Sequence, residues 1–70
     1  MPCPRVGDLA RIGPDCGVHG HGEFWLRILG ISDALVLDHC YLRGHDVEHG
    51  DVIRTYYVRV STLDLRRPRG

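Results

Sequence analysis

A chain of 70 residues, 43% of them hydrophobic and 26% charged, has the length and composition of one small globular domain rather than of a disordered segment. Nine basic residues balance nine acidic ones, so the net charge gives no overall attraction to nucleic acid or to a membrane surface. All nine basic residues are arginine, a bias typical of a GC-rich genome.

The three cysteines, Cys3, Cys16 and Cys40, are odd in number, widely spaced and without a CxxC pair, so we do not expect a disulfide framework. The first residues lack the apolar core of a signal peptide, and no apolar run approaches the roughly 20 residues that span a bilayer. These features predict a reduced, cytoplasmic protein with no membrane partner.

The first 22 residues predict one strand between irregular segments. Residues 1–6 contain two prolines and form an extended lead-in, and Gly7-Asp8 forms a turn. Leu9–Ile12 is the first predicted strand. Residues 13–22 hold four glycines and a proline, which predicts a long loop.

Glu23–Ile31 is the second predicted strand, because apolar residues alternate along it. The inward face is the more uniformly apolar one and consists of Phe24, Leu26 and Ile28. Trp25 and Leu29 then face outward, and Gly30 permits a bulge or bend.

The third predicted strand covers residues 34–43, after a tight turn at Ser32-Asp33. It carries apolar residues on both of its alternating faces, so the sequence does not show which face points inward. A bulge at Asp38-His39 would switch the inward face midway. Residues 44–51 are polar and bounded by glycines, which predicts a hairpin loop.

The last part of the chain organises the predicted fold. Val52–Val60 is a fourth strand rich in β-branched and aromatic residues. One face carries Val52, Tyr56, Val58 and Val60, and the other carries Ile53, Thr55, Tyr57 and Arg59. Ser61-Thr62 predicts one short helical turn, after which Leu63 closes the core and Leu65 lies on a short fifth strand. Residues 67–70 form a basic tail.

Five short strands, a glycine-rich loop after the first and one 3-10 turn before the last resemble the SH3-like small β-barrel. The segments that carry this resemblance are Gly7-Asp8, Phe24 through Gly30, and Tyr57 through Leu65. The sequence therefore predicts an all-β, five-stranded SH3-like barrel as a single domain over residues 7–66. Its predicted core is Ala10, Ile12, Phe24, Leu26, Ile28, Val58, Val60 and Leu63.

Within that group the chain resembles, distantly, the plasmid-borne type II dihydrofolate reductases. Ile28-Leu29-Gly30 and Val60-Ser61-Thr62-Leu63-Asp64 match the segments that the family uses in its barrel. The family's pore is lined by a Val-Gln-Ile-Tyr run, whereas the matching positions here read Thr55-Tyr56-Tyr57-Val58. The Gln that reads the ligand and its neighbouring Tyr are absent, so the resemblance implies the barrel and self-association but not the activity.

Histidine is the enriched chemical group, with Cys16-x-x-His19-x-His21 in the glycine-rich loop and His45-x-x-x-His49 in the hairpin. Neither spacing is that of a zinc finger, so we interpret these residues as solvated loop side chains and predict no metal site. His39 and Cys40 are adjacent and point to opposite faces of a strand, which excludes a catalytic dyad. We predict no enzyme activity and no cofactor.

Two functions remain. The first is a small non-catalytic binding or assembly module that forms a symmetric homo-oligomer, with Trp25 at or near the contact, because apolar residues remain outside the predicted core. A protein partner is a related expectation. The alternative is a nucleic-acid-binding accessory domain that uses arginine and aromatic side chains on the strands and the basic tail. The candidate binding residues for either are Trp25, Arg27, Leu29, Arg54, Tyr57 and Arg59.

Overall fold

The computed structural model describes residues 3–67 and shows an all-β chain, as predicted. Its strands are β1 (Leu9–Ile12), β2 (Phe24–Asp33), β3 (His39–Asp46), β4 (His49–Arg59) and β5 (Asp64–Arg66). All neighbouring strands are antiparallel, and the order across the sheet is β4-β3-β2-β1-β5. The predicted 3-10 turn before the last strand is present at Val60–Thr62.

The sheet is open. Within residues 3–67, β4 and β5 each have one hydrogen-bonded neighbour and do not pair with each other. The closed barrel is therefore not confirmed, although the 3-10 turn does carry the chain from one edge strand to the other.

One face of the sheet, the inner face, carries the core. Residues alternate along each strand, so the buried side chains of neighbouring strands meet on the same side: Ala10 pairs with Leu26, and Cys40 pairs with Val58. All eight predicted core residues lie in this cluster or pack against it. The cluster also contains four residues that the sequence did not identify as core, which are Cys16, Val18, Cys40 and Leu42.

The glycine-rich loop contributes two of those additional core residues. Pro14–Cys16 forms a 3-10 turn that ends at Gly17, whose φ of 94° favours glycine. The thiol of Cys16 donates to the carbonyl oxygen of Gly13 at 3.3 Å, and both Cys16 and Val18 are buried. The loop is thus part of the core rather than only a connection.

The third strand starts later than predicted. Strand β2 continues to Asp33, residues 35–38 form bends and turns, and β3 begins only at His39. The backbone reverses at Asp38, whose φ is 61°, a conformation that aspartate tolerates better than most residues. Local β-propensity at Leu35-Val36-Leu37 was misleading, because this run is exposed and lies outside the sheet.

The predicted hairpin loop over residues 44–51 is also wrong in length. β3 and β4 run through both bounding glycines and leave only Val47-Glu48 as the turn. Gly44 is buried within β3, where an added Cβ would lie 1.9 Å from the carbonyl oxygen of Arg27. Glycine at this position thus permits the close approach of two strands rather than marking a turn.

β4 is regular only in its C-terminal half. Arg54 pairs with Gly44 and His49 with Asp46, so residues 50–53 lie opposite the single residue His45 and form a large bulge at the sheet edge. From Arg54 to Arg59 the strand keeps its register with β3.

The two ends of the described chain meet at Asp8. Its carboxylate is buried, accepts a hydrogen bond from the backbone N–H of Arg5 at 3.1 Å, and lies 3.8 Å from Nε of Arg67. Residues 3–5 have no regular structure, as expected for the lead-in. Residues 1–2, and most of the predicted basic tail at residues 68–70, lie outside the described part of the chain. No helix among the described residues is long and apolar enough to cross a membrane.

Candidate binding surfaces

The face of the sheet turned away from the core, called the outer face here, is defined by strand alternation and register. Leu9 pairs with Arg27 and Arg66, and Tyr41 pairs with Tyr57, so their side chains share this face. The main outer-face side chains of β1, β2, β3, the regular half of β4, and β5 are Leu9, Arg11, Trp25, Arg27, Leu29, His39, Tyr41, Arg43, His45, Thr55, Tyr57, Arg59, Asp64 and Arg66.

Charge is divided unequally between the two faces. The outer face carries five of the nine arginines and, among these strand residues, a single acidic side chain, Asp64. Asp33 and Asp46 pair with buried Cys40 and Leu26 and therefore belong to the inner side. A chain with no net charge thus has a basic outer face.

Ion pairs neutralise little of that face. Arg11 forms one with Glu23, whose carboxylate accepts its hydrogen bond and raises the pKa of the guanidinium above the ordinary value. Within residues 3–67, Arg27, Arg43 and Arg59 form no ion pair. The guanidinium of Arg43 instead covers Gly30, where an added Cβ would lie 3.1 Å from its Nε.

Three rings on the outer face of β3 and β4 form a continuous cluster, called the aromatic cluster here: His39, Tyr41 and Tyr57. His39 stacks on Tyr57 with centroids 4.9 Å apart and planes inclined by 14°. Tyr41 also contacts Tyr57, with centroids 5.2 Å apart and planes inclined by 48°. Nδ1 of His39 donates to the carbonyl oxygen of Leu37 at 2.8 Å, which fixes that ring further. Both tyrosines remain 42% exposed, so the cluster is ordered and accessible.

Trp25 is half-buried rather than fully exposed. The guanidinium of Arg66 lies over its ring, 4.7 Å from the centroid, in a cation–π contact across β1. The glycine-rich loop turns to the opposite face, where His21 meets Tyr56 edge-on at 6.1 Å.

Five of the six candidate binding residues share the outer face, namely Trp25, Arg27, Leu29, Tyr57 and Arg59. Arg54 does not, because it pairs with Gly44 and alternates with Tyr56 and Val58 on the inner side. The candidate residues predicted from the sequence did not include Tyr41, Arg43 and His39, because the sequence did not show which face of the third strand is the inner one. If the predicted third strand had begun at His39, its alternation would have placed His39, Tyr41, Arg43 and His45 together on one face.

A second surface consists of aliphatic side chains in the connection between β2 and β3. Leu35 is as exposed as in an extended peptide, at 108%, and Leu37 is 93% exposed. The segment of residues 34–37, called the apolar loop here, is nevertheless held at its base. Asp38 accepts hydrogen bonds through its backbone oxygen from the N–H of Val60 at 2.7 Å, and through its carboxylate from the N–H of Ser61 at 2.9 Å and from the Ser61 hydroxyl.

A groove of about 330 Å³, called the side groove here, lies next to the apolar loop. Its apolar walls include Pro4, Ile31, Cys40 and Val60. Burial raises the pKa of the Cys40 thiol, so this wall stays uncharged at neutral pH.

The histidines do not converge. Within residues 3–67 no three His, Cys, Asp or Glu side chains are grouped as a metal site would require. His49 contacts Asp46 at 3.4 Å, and the pKa of Asp46 is lowered, first by the hydrogen bond from the Glu48 N–H and then by His49. His39 and Cys40 do point to opposite faces, since His39 stacks on Tyr57 while Cys40 is buried.

Comparison of the chain with protein-family models, with curated proteins and with solved structures finds no match. The resemblances to the SH3-like barrel and to the type II reductases therefore stay predictions, and any function is inferred from the chain's own surfaces.

Proposed function

We propose that the chain is a small, non-catalytic assembly module whose partner is a second copy of itself. The observation that carries the proposal is the apolar loop, which presents fully exposed Leu35 and Leu37 on an anchored backbone. Eleven large hydrophobic side chains are exposed in the described residues, against nine hydrophobic residues in the core. Singly exposed apolar residues are ordinary, but Leu35, Val36 and Leu37 are contiguous, and a contiguous apolar patch is typical of an interaction surface.

The chain also supplies a complementary site for this loop. The side groove is open and large enough to accept a leucine side chain, and it adjoins the loop at Asp38 and His39. Its apolar walls at Ile31, Cys40 and Val60 lie beside the polar side chain of Asp33. Because the loop and the groove are neighbours on the same molecule, a single two-fold axis between two copies is sufficient to bring each loop to the other's groove. Each leucine buried in this way contributes about 2 kcal/mol, so the contact gains from four leucines at once.

The anchored base lowers the cost of association. The backbone N–H of His39 donates to the carbonyl oxygen of Val36 at 3.2 Å, and Asp38 joins the loop to the 3-10 turn. Since the loop is held in place before binding, little conformational entropy is lost when it docks.

Sedimentation velocity over the micromolar range tests the proposal. We expect the wild type to exceed its 7.9 kDa monomer mass and Leu37→Asp to sediment as a monomer. Val47→Asp is the matched control, because Val47 is also exposed but lies in the β3–β4 turn. A wild type at 7.9 kDa throughout, or a control that dissociates as readily as Leu37→Asp, would refute the proposal. Trp25 belongs to neither the apolar loop nor the side groove. Trp25→Ala should therefore sediment as the wild type does, whereas its dissociation would place the contact at Trp25, as the sequence predicted, and contradict the contact proposed here.

A further inference from the structure

The outer face has a different chemistry from the apolar loop, and that chemistry suits a polyanion. Arg27, Arg43 and Arg59 form no ion pair within residues 3–67, and Arg66 is held over Trp25. A basic face on a chain with no net charge is a local feature, which a count of charges along the sequence does not reveal. Arginine guanidinium groups without carboxylate partners are suited to bind phosphates, often through two hydrogen bonds each.

The arginines lie on both sides of the aromatic cluster. Arg59 pairs with His39 at one end, and Arg43 lies four residues further along β3, about 13 Å away at the usual strand rise. Tyr41 and Tyr57 lie between them as a directly paired couple. Arg27, paired with His45, extends the basic row by two further residues.

An aromatic cluster with arginines on both sides suits some classes of polyanion better than others. An acidic peptide would pair with the arginines but would leave the ring surfaces unused. A duplex would offer phosphates, but its bases are stacked on each other and cannot reach rings on a flat sheet. A single strand offers phosphates and unpaired bases together, and bases stack on aromatic side chains with little dependence on sequence.

We propose that the outer face of β2, β3 and β4 binds single-stranded nucleic acid, with Tyr41 and Tyr57 stacking on bases and Arg27, Arg43 and Arg59 contacting phosphates. His39 and Tyr41 both contact Tyr57 before any ligand is present, so the stacking surface is already formed. This function can be tested apart from self-association, because Leu35 and Leu37 are not part of the surface, although His39 belongs both to the aromatic cluster and to the lining of the side groove.

The test uses fluorescein-labelled dT20 and rU20 and measures their binding to the full chain by anisotropy at several salt concentrations. We expect binding that weakens steeply as salt rises. Tyr57→Ala should weaken it about tenfold, whereas Tyr57→Phe, which keeps the ring, should leave it unchanged. Arg43→Gln with Arg59→Gln should lower the magnitude of the salt slope by about 1.4, or about 0.7 for each lost phosphate contact.

Arg54→Gln is the matched control, because it removes the same charge from the same strand on the inner side. It should bind as the wild type does. Failure of both oligonucleotides to bind at low salt would overturn the proposal, and so would a loss with Arg54→Gln equal to that with Arg59→Gln. Equal binding of poly-glutamate or of duplex DNA would also overturn it, in favour of another partner class. The monomeric Leu37→Asp variant should keep its affinity, so failure of the assembly proposal is seen separately.

Discussion

At the scale of single residues, Gly44 has the least room for a side chain among the glycines that the structure describes. It is buried in β3 beside the irregularity where β2 passes Leu29, and a Cβ there would meet the carbonyl oxygen of Arg27 at 1.9 Å and the side chain of Leu26 at 3.2 Å. Because the nearest atom belongs to the backbone, the contact cannot be relieved by a rotamer change. Gly50, in β4, has ordinary space around it, with its nearest neighbour at 3.5 Å.

We therefore predict that Gly44→Ala destabilises the chain by about 3 kcal/mol, the upper part of the range for added volume in a packed site. Gly50→Ala should change the free energy of unfolding by less than about 1 kcal/mol. Urea denaturation followed by circular dichroism measures both. Equal stability of the two variants would show that the close approach of β2 and β3 is not a fixed feature of the fold.

At the scale of elements, Asp38 connects the apolar loop to the 3-10 turn. It combines a left-handed backbone with a carboxylate that accepts the N–H and hydroxyl of Ser61. Alanine loses these hydrogen bonds and tolerates the backbone less well. We predict a loss of about 2 kcal/mol for Asp38→Ala.

Two other substitutions separate the loss of the carboxylate's hydrogen bonds from the strain in the left-handed backbone. Asp38→Gly relieves the backbone and removes the carboxylate, and Asp38→Asn keeps an acceptor and a tolerant backbone. The predicted order of melting temperature is wild type, Asn, Gly, Ala. An alanine variant as stable as the wild type would contradict the role of Asp38 in anchoring the loop.

The sequence predicted the type of each element where its alternation was regular. It did not predict where the elements begin and end. Leu9–Ile12, the inward face of β2 and the turn at Val60–Thr62 follow from local pattern and are observed. The apolar loop misled the prediction because Leu35, Val36 and Leu37 have strand propensity, while a tertiary hydrogen bond from residue 61 reverses the chain at Asp38. Local pattern contains no information about that contact.

The candidate surfaces were predictable only in part, for the same reason. Alternation along β2 and β4 placed Trp25, Arg27 and Tyr57 outward, as the structure has them. The aromatic cluster needs the register of β3 against β4, which brings Tyr41 beside Tyr57. Such pairings across strands cannot be deduced from one strand at a time.

At the scale of the whole molecule, the open sheet has three surfaces with distinct chemistry. Its inner face holds the core, its outer face combines arginine with aromatic rings, and its β2–β3 connection presents aliphatic side chains. A chain of 70 residues forms a small core, so a large part of its sequence remains available for contacts with other molecules.

The most direct test of this division is a map of backbone amide shifts by NMR, recorded on dilution and then on addition of dT20. Dilution should move the amides of the apolar loop and the side groove, such as Leu37 and Val60. The oligonucleotide should move those of Tyr41, Tyr57 and Arg59. Spectra that change with neither dilution nor dT20 would contradict both proposals, and shifts of one shared set of amides would contradict the separation of the two surfaces.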